Sequence, residues 1–242
     1  MIRDTFIFVP AYNVSKELPA LLGSIPAAVL LRCREIVILD DGSRDRTFDA
    51  ASAFASGEIR ACIRVERSAG NCGYGAVVKR GLSLFQKSGA EFAVCLHGDG
   101  QYPAAQIPEF LEYMAREKVD VLQGSRHLIP GGARRGNMPF YKIIGGKFLT
   151  RIENLCFKYK LTDRHSGFLC YSKNFVQQAD LRRLSGSFDI DLGLIALAEE
   201  FGLRVAELPI PARYAGERSN LKVIPYGFRA LRISLRHKLR MK

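Results

Sequence analysis

Phe92-Ala93-Val94-Cys95-Leu96-His97-Gly98-Asp99-Gly100-Gln101-Tyr102-Pro103 runs from five apolar residues straight into an acid set between glycines. A short apolar run bounded by glycines reads as a buried strand. An acid directly after such a strand falls at the carboxyl edge of a parallel sheet, the place where open α/β proteins bind ligands. With Gln101 and His97 beside it, Asp99 offers oxygen and nitrogen donors for a hard divalent cation facing a diphosphate. The plainer reading is a turn, because Asp-Gly after a strand commonly makes one.

The residues around this stretch alternate in the same way. Strands are predicted at 5–9, 35–39, 59–65, 92–96 and 119–123, and helices at about 15–24, 45–55, 75–88 and 105–116. Strand and helix alternating at this spacing build a mostly parallel sheet covered on both faces. The first strand ends in Phe8-Val9-Pro10-Ala11-Tyr12-Asn13, and Gly73-Tyr74-Gly75-Ala76-Val77-Val78 lacks a third glycine. A nicotinamide or flavin fingerprint is therefore absent from both places where one would be sought.

Beyond Arg126 the rhythm changes. Residues 130–137 form a basic, glycine-rich loop, and a helix is predicted from Pro139 through 159. An apolar patch at 167–171, a helix at 190–201 and a strand near 204–208 follow. Residues 1–220 read as one domain and 221–242 as a basic C-terminal helix. In that helix Ile224, Phe228, Leu231, Leu235 and Leu239 recur at spacings of three and four, with Arg229, Arg232, Arg236 and Arg240 beside them. Such a face suits either a helix lying in a membrane interface or a terminal helix packed on its own core or on a second subunit.

The 242 residues are 48% hydrophobic and 25% charged, ordinary values for a globular domain. No apolar run nears the roughly 18 residues of a membrane span. Met1-Ile2-Arg3-Asp4 leads directly into a strand, so no signal peptide is expected. Six cysteines follow neither a C-x-x-C nor a zinc-ligand spacing, which points to core thiols and a reducing cytoplasm. The net charge is +12, and residues 218–242 hold eight Lys or Arg and no acid. A basic tail of this kind seeks an anionic surface.

The second predicted strand ends in Asp40-Asp41-Gly42-Ser43. Adjacent carboxylates at a strand end can accept hydrogen bonds from a nucleoside's base and ribose, while Ser43 or Asp45 caps the helix that follows. Taken in order, Pro10-Ala11-Tyr12-Asn13, Asp40-Asp41-Gly42-Ser43, Asn71-Cys72-Gly73-Tyr74-Gly75-Ala76, Gly98-Asp99-Gly100-Gln101 and Gly124-Ser125-Arg126 resemble family 2 glycosyltransferases. The resemblance is nearest to the branch of dolichyl-phosphate mannose synthase and bacterial polyprenyl-phosphate sugar transferases. It continues through Asp163-Arg164-His165-Ser166-Gly167-Phe168, Phe188-Asp189-Ile190-Asp191 and Arg213-Tyr214-Ala215-Gly216-Glu217-Arg218-Ser219.

The resemblance implies a GT-A-like α/β domain and a set of roles. Pro10, Ala11, Tyr12, Asp40 and Asp41 would hold the nucleoside of a GDP- or UDP-sugar. Asp99, assisted by Gln101 and His97, would bind Mg²⁺ or Mn²⁺ at the diphosphate. Arg126 and Lys142 would receive the phosphate of a polyprenyl acceptor. Arg213 would meet the donor diphosphate as 213–219 closes over it. The chain departs from the pattern at His97, where an acid is usual, at Val14, where Glu is common, and at Lys142, where Arg is usual; Lys keeps the charge but loses the bidentate grip. The membrane-spanning helices that follow residue 220 in many relatives are not expected here.

The implied reaction is inverting transfer of one sugar to polyprenyl phosphate, by an enzyme peripheral to the cytoplasmic membrane face. A phosphate acceptor is already ionised near neutral pH and needs no strong base. A sugar-hydroxyl acceptor would need one, and Asp191 or Asp189 would supply it. A reading of another class is a basic protein that binds nucleic acid or anionic lipid through a decayed transferase site, although no nucleic acid is the expected partner.

Overall fold

The computed structural model describes residues 4–56, 63–214 and 223–241. Among these, strand β1 (Thr5–Ala11) precedes helices α1 (Leu18–Gly23) and α2 (Ala27–Arg32), then β2 (Cys33–Asp40), α3 (Thr47–Ala55) and β3 (Ile63–Arg67). Helix α4 (Tyr74–Ser88), β4 (Phe92–Cys95), α5 (Ile107–Glu117) and β5 (Val121–Ser125) follow. The second half holds α6 (Gly132–Arg135), α7 (Phe140–Glu153), β6 (Leu169–Ser172), α8 (Lys173–Gln178), α9 (Ile190–Glu200), β7 (Val205–Pro209) and α10 (Val223–Arg240).

The seven strands form one sheet in the order β3-β2-β1-β4-β6-β5-β7. Strand β6 runs antiparallel to both β4 and β5, and the remaining pairs are parallel. The mostly parallel α/β architecture implied by the sequence is the one found. Alternation along the central strands builds both cores, because successive side chains leave a strand on opposite faces. Phe6, Phe8, Val37 and Leu39 pack with α4 and α9 on one face, while Ile7, Val9, Ile36 and Ile38 pack with α1 and α5 on the other. Gly81 lets α4 lie directly on the sheet, since a Cβ there would stand 2.4 Å from the Phe8 ring.

The observed elements differ from the expected ones in several places. The loop at 130–137 contains the helical turn α6. The helix expected through 159 stops at Glu153. There Asn154 turns the chain by bonding both the N–H and the C=O of Leu161. Helices α2 and α8 are additions, each only six residues long and too short for a periodic signal. Helix α10 docks through Tyr226, Ala230, Ser234 and His237, all buried, against α9 and α7. Buried His237 stacks on Phe157 and bonds Glu199 at 3.1 Å. The docked face is not the predicted stripe: Ile224, Phe228, Leu235 and Leu239 remain exposed.

Because β1 stands between β2 and β4, the chain leaves β1 toward one side of the sheet and later adds strands on the other. The crevice beyond the carboxyl ends of β1 and β4 is the topological switch point at which such sheets bind ligands.

Candidate active site

A cavity of about 1490 Å³ opens at this switch point. Its polar end is made by the loops after β1, β2 and β4, and its other end runs between α7 and α10.

The first loops are stitched together by short side chains. Ser43 Oγ accepts the N–H of Asn13 at 2.9 Å, Thr47 Oγ1 accepts that of Val14 at 2.8 Å, and Asn13 Oδ1 accepts that of Arg44 at 2.8 Å. Gly42, at φ +69°, is needed because a Cβ there would lie 2.6 Å from the backbone of Gly70. Pro10, Ala11, Tyr12 and Asp41 line the large cavity. The Asp41 carboxylate accepts the N–H groups of Cys72 at 2.7 Å and Gly73 at 3.0 Å, fixing the entry to α4. Asp40, expected beside the nucleoside with Asp41, points elsewhere. It is buried in a smaller cavity, accepts the Ser43 N–H at 3.0 Å and pairs with Arg67 at 3.2 Å. Successive residues at a strand end face opposite sides, so only one acid of the pair meets the large cavity.

After β4, His97, Asp99 and Gln101 all line the cavity. Asp99 Oδ1 accepts the Gln101 N–H at 3.0 Å and its other oxygen has no protein partner among the described residues. Among the described residues no group of three His, Cys, Asp or Glu is placed to hold a metal ion. Asp99 nevertheless fits a cation shared with a diphosphate, since Mg²⁺ commonly takes one or two carboxylates, substrate phosphates and waters. The His97 imidazole stands with Nε2 3.0 Å from the Tyr74 hydroxyl, which in turn lies 3.2 and 3.0 Å from the two carboxylate oxygens of Asp191. Burial pushes His97 below the ordinary imidazole pKa, against the pull of the Asp99 charge. Burial raises Asp191 to about 7, helped by the Asp189 charge and opposed by the Tyr74 hydrogen bond. Asp189 itself pairs with Arg229 of α10 at 3.0 Å.

After β5, Arg126 enters the cavity with its guanidinium already engaged. Its Nε donates to Asp163 Oδ2 at 2.7 Å, Nη2 to Oδ1 at 2.9 Å and Nη1 to the Tyr214 hydroxyl at 3.0 Å. Burial alone would raise the Asp163 pKa, but the charge and hydrogen bonds of Arg126 hold it far below the usual carboxylate range. Lys142 lies over the Tyr214 ring, 5.2 Å from its centroid. Burial and the nearby Arg126 charge lower the Lys142 pKa. The structure thus brings both expected acceptor cations together, with Tyr214 between them. Arg213 is exposed and does not line the cavity, and most of the closing segment 213–219 lies outside the described residues.

The sequence reading did not assign roles to Tyr74, Phe188, Asp163 or Tyr214, although each lies in a quoted motif. Phe188 stacks on Tyr74 with ring centroids 5.4 Å apart. Beyond Lys142 the cavity becomes a groove floored by Gly145, Gly146 and Gly227, where an added Cβ would meet nothing within 4 Å. Of its lining, Tyr141 of α7 and Ile224 and Phe228 of α10 are exposed, and α7 also exposes Phe140, Ile144 and Phe148 outside that lining.

The profile described as glycosyl transferase family 2 matches residues 6–179 of this chain. The UDP-N-acetylglucosamine--dolichyl-phosphate N-acetylglucosaminyltransferase of Methanococcus voltae is 24% identical over 222 residues, spanning 86% of this chain and 85% of that protein. The polyprenol monophosphomannose synthase of Mycolicibacterium smegmatis is 26% identical over 213 residues, 86% of this chain and 77% of the relative. Among solved structures, glucosyl-3-phosphoglycerate synthase from Mycobacterium tuberculosis, in complex with Mn²⁺, UDP and phosphoglyceric acid, superposes with a TM-score of 0.69. That match covers 98% of this chain and 78% of the synthase at 16% identity, and it shows a shared fold.

Proposed function

The chain belongs to glycosyl transferase family 2, and we propose that it moves one sugar, with inversion, from a nucleotide sugar to a polyprenyl phosphate at a membrane surface. The observation that carries this reading is the continuity of one cavity from Asp41 and Asp99, past Arg126 and Lys142, to an apolar groove between α7 and α10. A soluble sugar acceptor has no use for such an exit; an isoprenoid does. The relatives' names point the same way, to dolichyl and polyprenol acceptors.

The residues divide the work by chemistry. Pro10, Ala11, Tyr12 and Asp41 would hold the nucleoside, with Asp40 behind them as a support. Asp99, Gln101 and His97 would hold Mg²⁺ or Mn²⁺. When bound with the donor, that cation supplies positive charge to the departing diphosphate. An acceptor phosphate oxygen, placed by Lys142 and the free N–H groups of Arg126, attacks the anomeric carbon. The new bond joins that carbon to the acceptor oxygen, and the bond to the nucleotide's terminal phosphate oxygen breaks. No base is required, because the nucleophile is already an anion. Preorganised charges aimed at the leaving group commonly contribute more than any other single catalytic device.

The surface carries the other half of the reading. Tyr141 of α7 and Ile224 and Phe228 of α10 are exposed where they line the groove, and α10 also exposes Arg232 and Arg236. No helix among the described residues is long and apolar enough to cross a membrane. Binding in the interface would bring the site to a lipid-borne phosphate.

A second reading, transfer to a sugar hydroxyl, draws on Asp191. It lines the cavity and has a pKa near that of a useful general base. Thermal shift with UDP- and GDP-sugars plus Mn²⁺ tests the donor half common to both readings, because a ligand of the native state raises Tm. Stabilisation by neither nucleotide would overturn both.

A further inference from the structure

In the position where an acid is usual, this chain has an imidazole, and two further residues hold that ring. Nε2 faces the Tyr74 hydroxyl at 3.0 Å. The same edge of the ring is closed by Gly167, where a Cβ would come within 2.6 Å of Cε1 and 2.8 Å of Nε2. Tyr102 meets the ring edge-on with centroids 4.9 Å apart. The Tyr74 hydroxyl has a single proton and a carboxylate within 3.0 Å. While Asp191 is ionised, the Tyr74 hydroxyl donates to it and can only accept from Nε2–H. Nε2 is then the protonated nitrogen and Nδ1 keeps its lone pair. Nδ1 has no side-chain hydrogen-bond partner among the described residues, the ring's other polar contact being with the Gly167 backbone, and the ring borders the cavity that also receives Asp99.

We propose that Tyr74 and Asp191 are positioning residues for the cation site: they hold His97 as the Nε2–H form and leave Nδ1, together with Asp99, to the metal. This rests on the reading that the donor arrives with a divalent cation. It gives Asp191 a task that does not involve the acceptor, and it accounts for the loss of one acid. An imidazole backed by a hydrogen-bonded carboxylate is a stronger ligand than a bare one, and its orientation is set in advance. Neutral nitrogen in place of carboxylate oxygen also shifts preference from Mg²⁺ toward Mn²⁺.

Pulsed EPR of Mn²⁺ bound in the presence of UDP or GDP tests this directly. The wild-type complex should show a nitrogen hyperfine coupling from one bound imidazole, lost in His97→Gln. Tyr74→Phe keeps the ring stacked on Phe188 and the fold intact, and should weaken Mn²⁺ in that complex by about 10- to 100-fold, the range seen for residues behind a ligand. A Mn²⁺–nucleotide complex without nitrogen coupling would overturn the assignment of His97. A Tyr74→Phe complex identical to wild type would overturn the positioning role. If neither nucleotide immobilised Mn²⁺, the donor reading would fail instead. Ring ¹⁵N shifts of His97 in the free protein then decide the rest: the Nε2–H form in wild type upholds the arrangement, and the Nδ1–H form overturns it.

Discussion

The Asp41 carboxylate accepts the N–H of Gly73 at 3.0 Å, so the end of β2 and the start of α4 are held by one side chain that also faces the cavity. Its neighbour Asp40 does comparable work on the other side of the strand, with Arg67 and Ser43. Two adjacent acids therefore carry different loads.

Their substitutions should separate accordingly. Asp40→Ala removes a carboxylate that satisfies a buried amide, a loss of about 1–3 kcal/mol. That lowers Tm by about 2–4 °C for each kcal/mol in a domain of this size. Nucleotide affinity should stay close to wild type. Asp41→Asn should weaken nucleotide binding by about tenfold or more, the size of one lost hydrogen bond to a charged group. Titration calorimetry and thermal melts on both variants check this; weaker nucleotide binding in Asp40→Ala than in Asp41→Asn would reverse the assignment.

Glu153 supplies a pH prediction. It is fully buried, and burial raises its pKa to about 8, partly offset by Arg164, while Asp163 pushes the same way. The folded protein therefore holds a proton that the unfolded chain releases near the ordinary carboxylate value. Stability falls as pH rises from there to about 8 and levels off above it. Glu153→Gln cannot ionise, so its Tm advantage over wild type should grow between pH 5 and pH 8 and then hold steady. A constant difference across that range would place Glu153 outside the titrating set.

Membrane binding should depend on side chains that support nothing in the fold. Phe148 and Phe228 are 65% and 72% exposed. Changing both to Glu should abolish flotation with anionic vesicles and leave Tm and nucleotide binding unchanged. Wild-type flotation should weaken with salt, because each basic residue near an anionic leaflet contributes only about 1 kcal/mol of screened attraction. Deleting residues 223–242 is a poorer test, since it uncovers the core beneath Tyr226, Ala230 and His237.

The groove glycines make a separate prediction. Glycine within a helix costs about 0.5–1 kcal/mol relative to alanine, and nothing presses on Gly146 to require it. Gly146→Ala should raise Tm. Gly146→Leu should obstruct transfer to long polyprenyl phosphates while sparing donor binding and transfer to a short-chain phosphate. Equal loss with short and long acceptors would show that the groove does not carry the isoprenoid.

The central sheet could be read from sequence because β1, β2 and β4 are apolar strands closed by turn residues, and each ends at a loop bearing chemistry. The antiparallel turn of β6 could not, since a four-residue apolar run has the same pattern in either direction. Asp99 was legible as the acid at a strand end. The engagement of Arg126 by Asp163 was not, because the two are 37 residues apart and meet only through the fold. Helix α10 shows the ambiguity of periodicity most plainly. Its apolar stripe marked the outward face, whereas Ala230, Ser234 and His237, a small, a polar and a titratable residue, form the inward one. Hydrophobic spacing cannot find a face whose packing rests on a small residue and a His237–Glu199 bond.

The product of the reaction decides whether this chain transfers sugar to a lipid phosphate. Purified protein is given labelled UDP- or GDP-sugars and undecaprenyl phosphate in anionic vesicles, with Mn²⁺, alongside Asp99→Asn. The expected result is a lipid-soluble, acid-labile polyprenyl monophosphate sugar of inverted configuration, one nucleoside diphosphate released per sugar transferred, and a loss of about 10²- to 10³-fold or more in the variant. Sugar appearing on a glycan hydroxyl and never on the lipid phosphate, or equal turnover by Asp99→Asn, would contradict it.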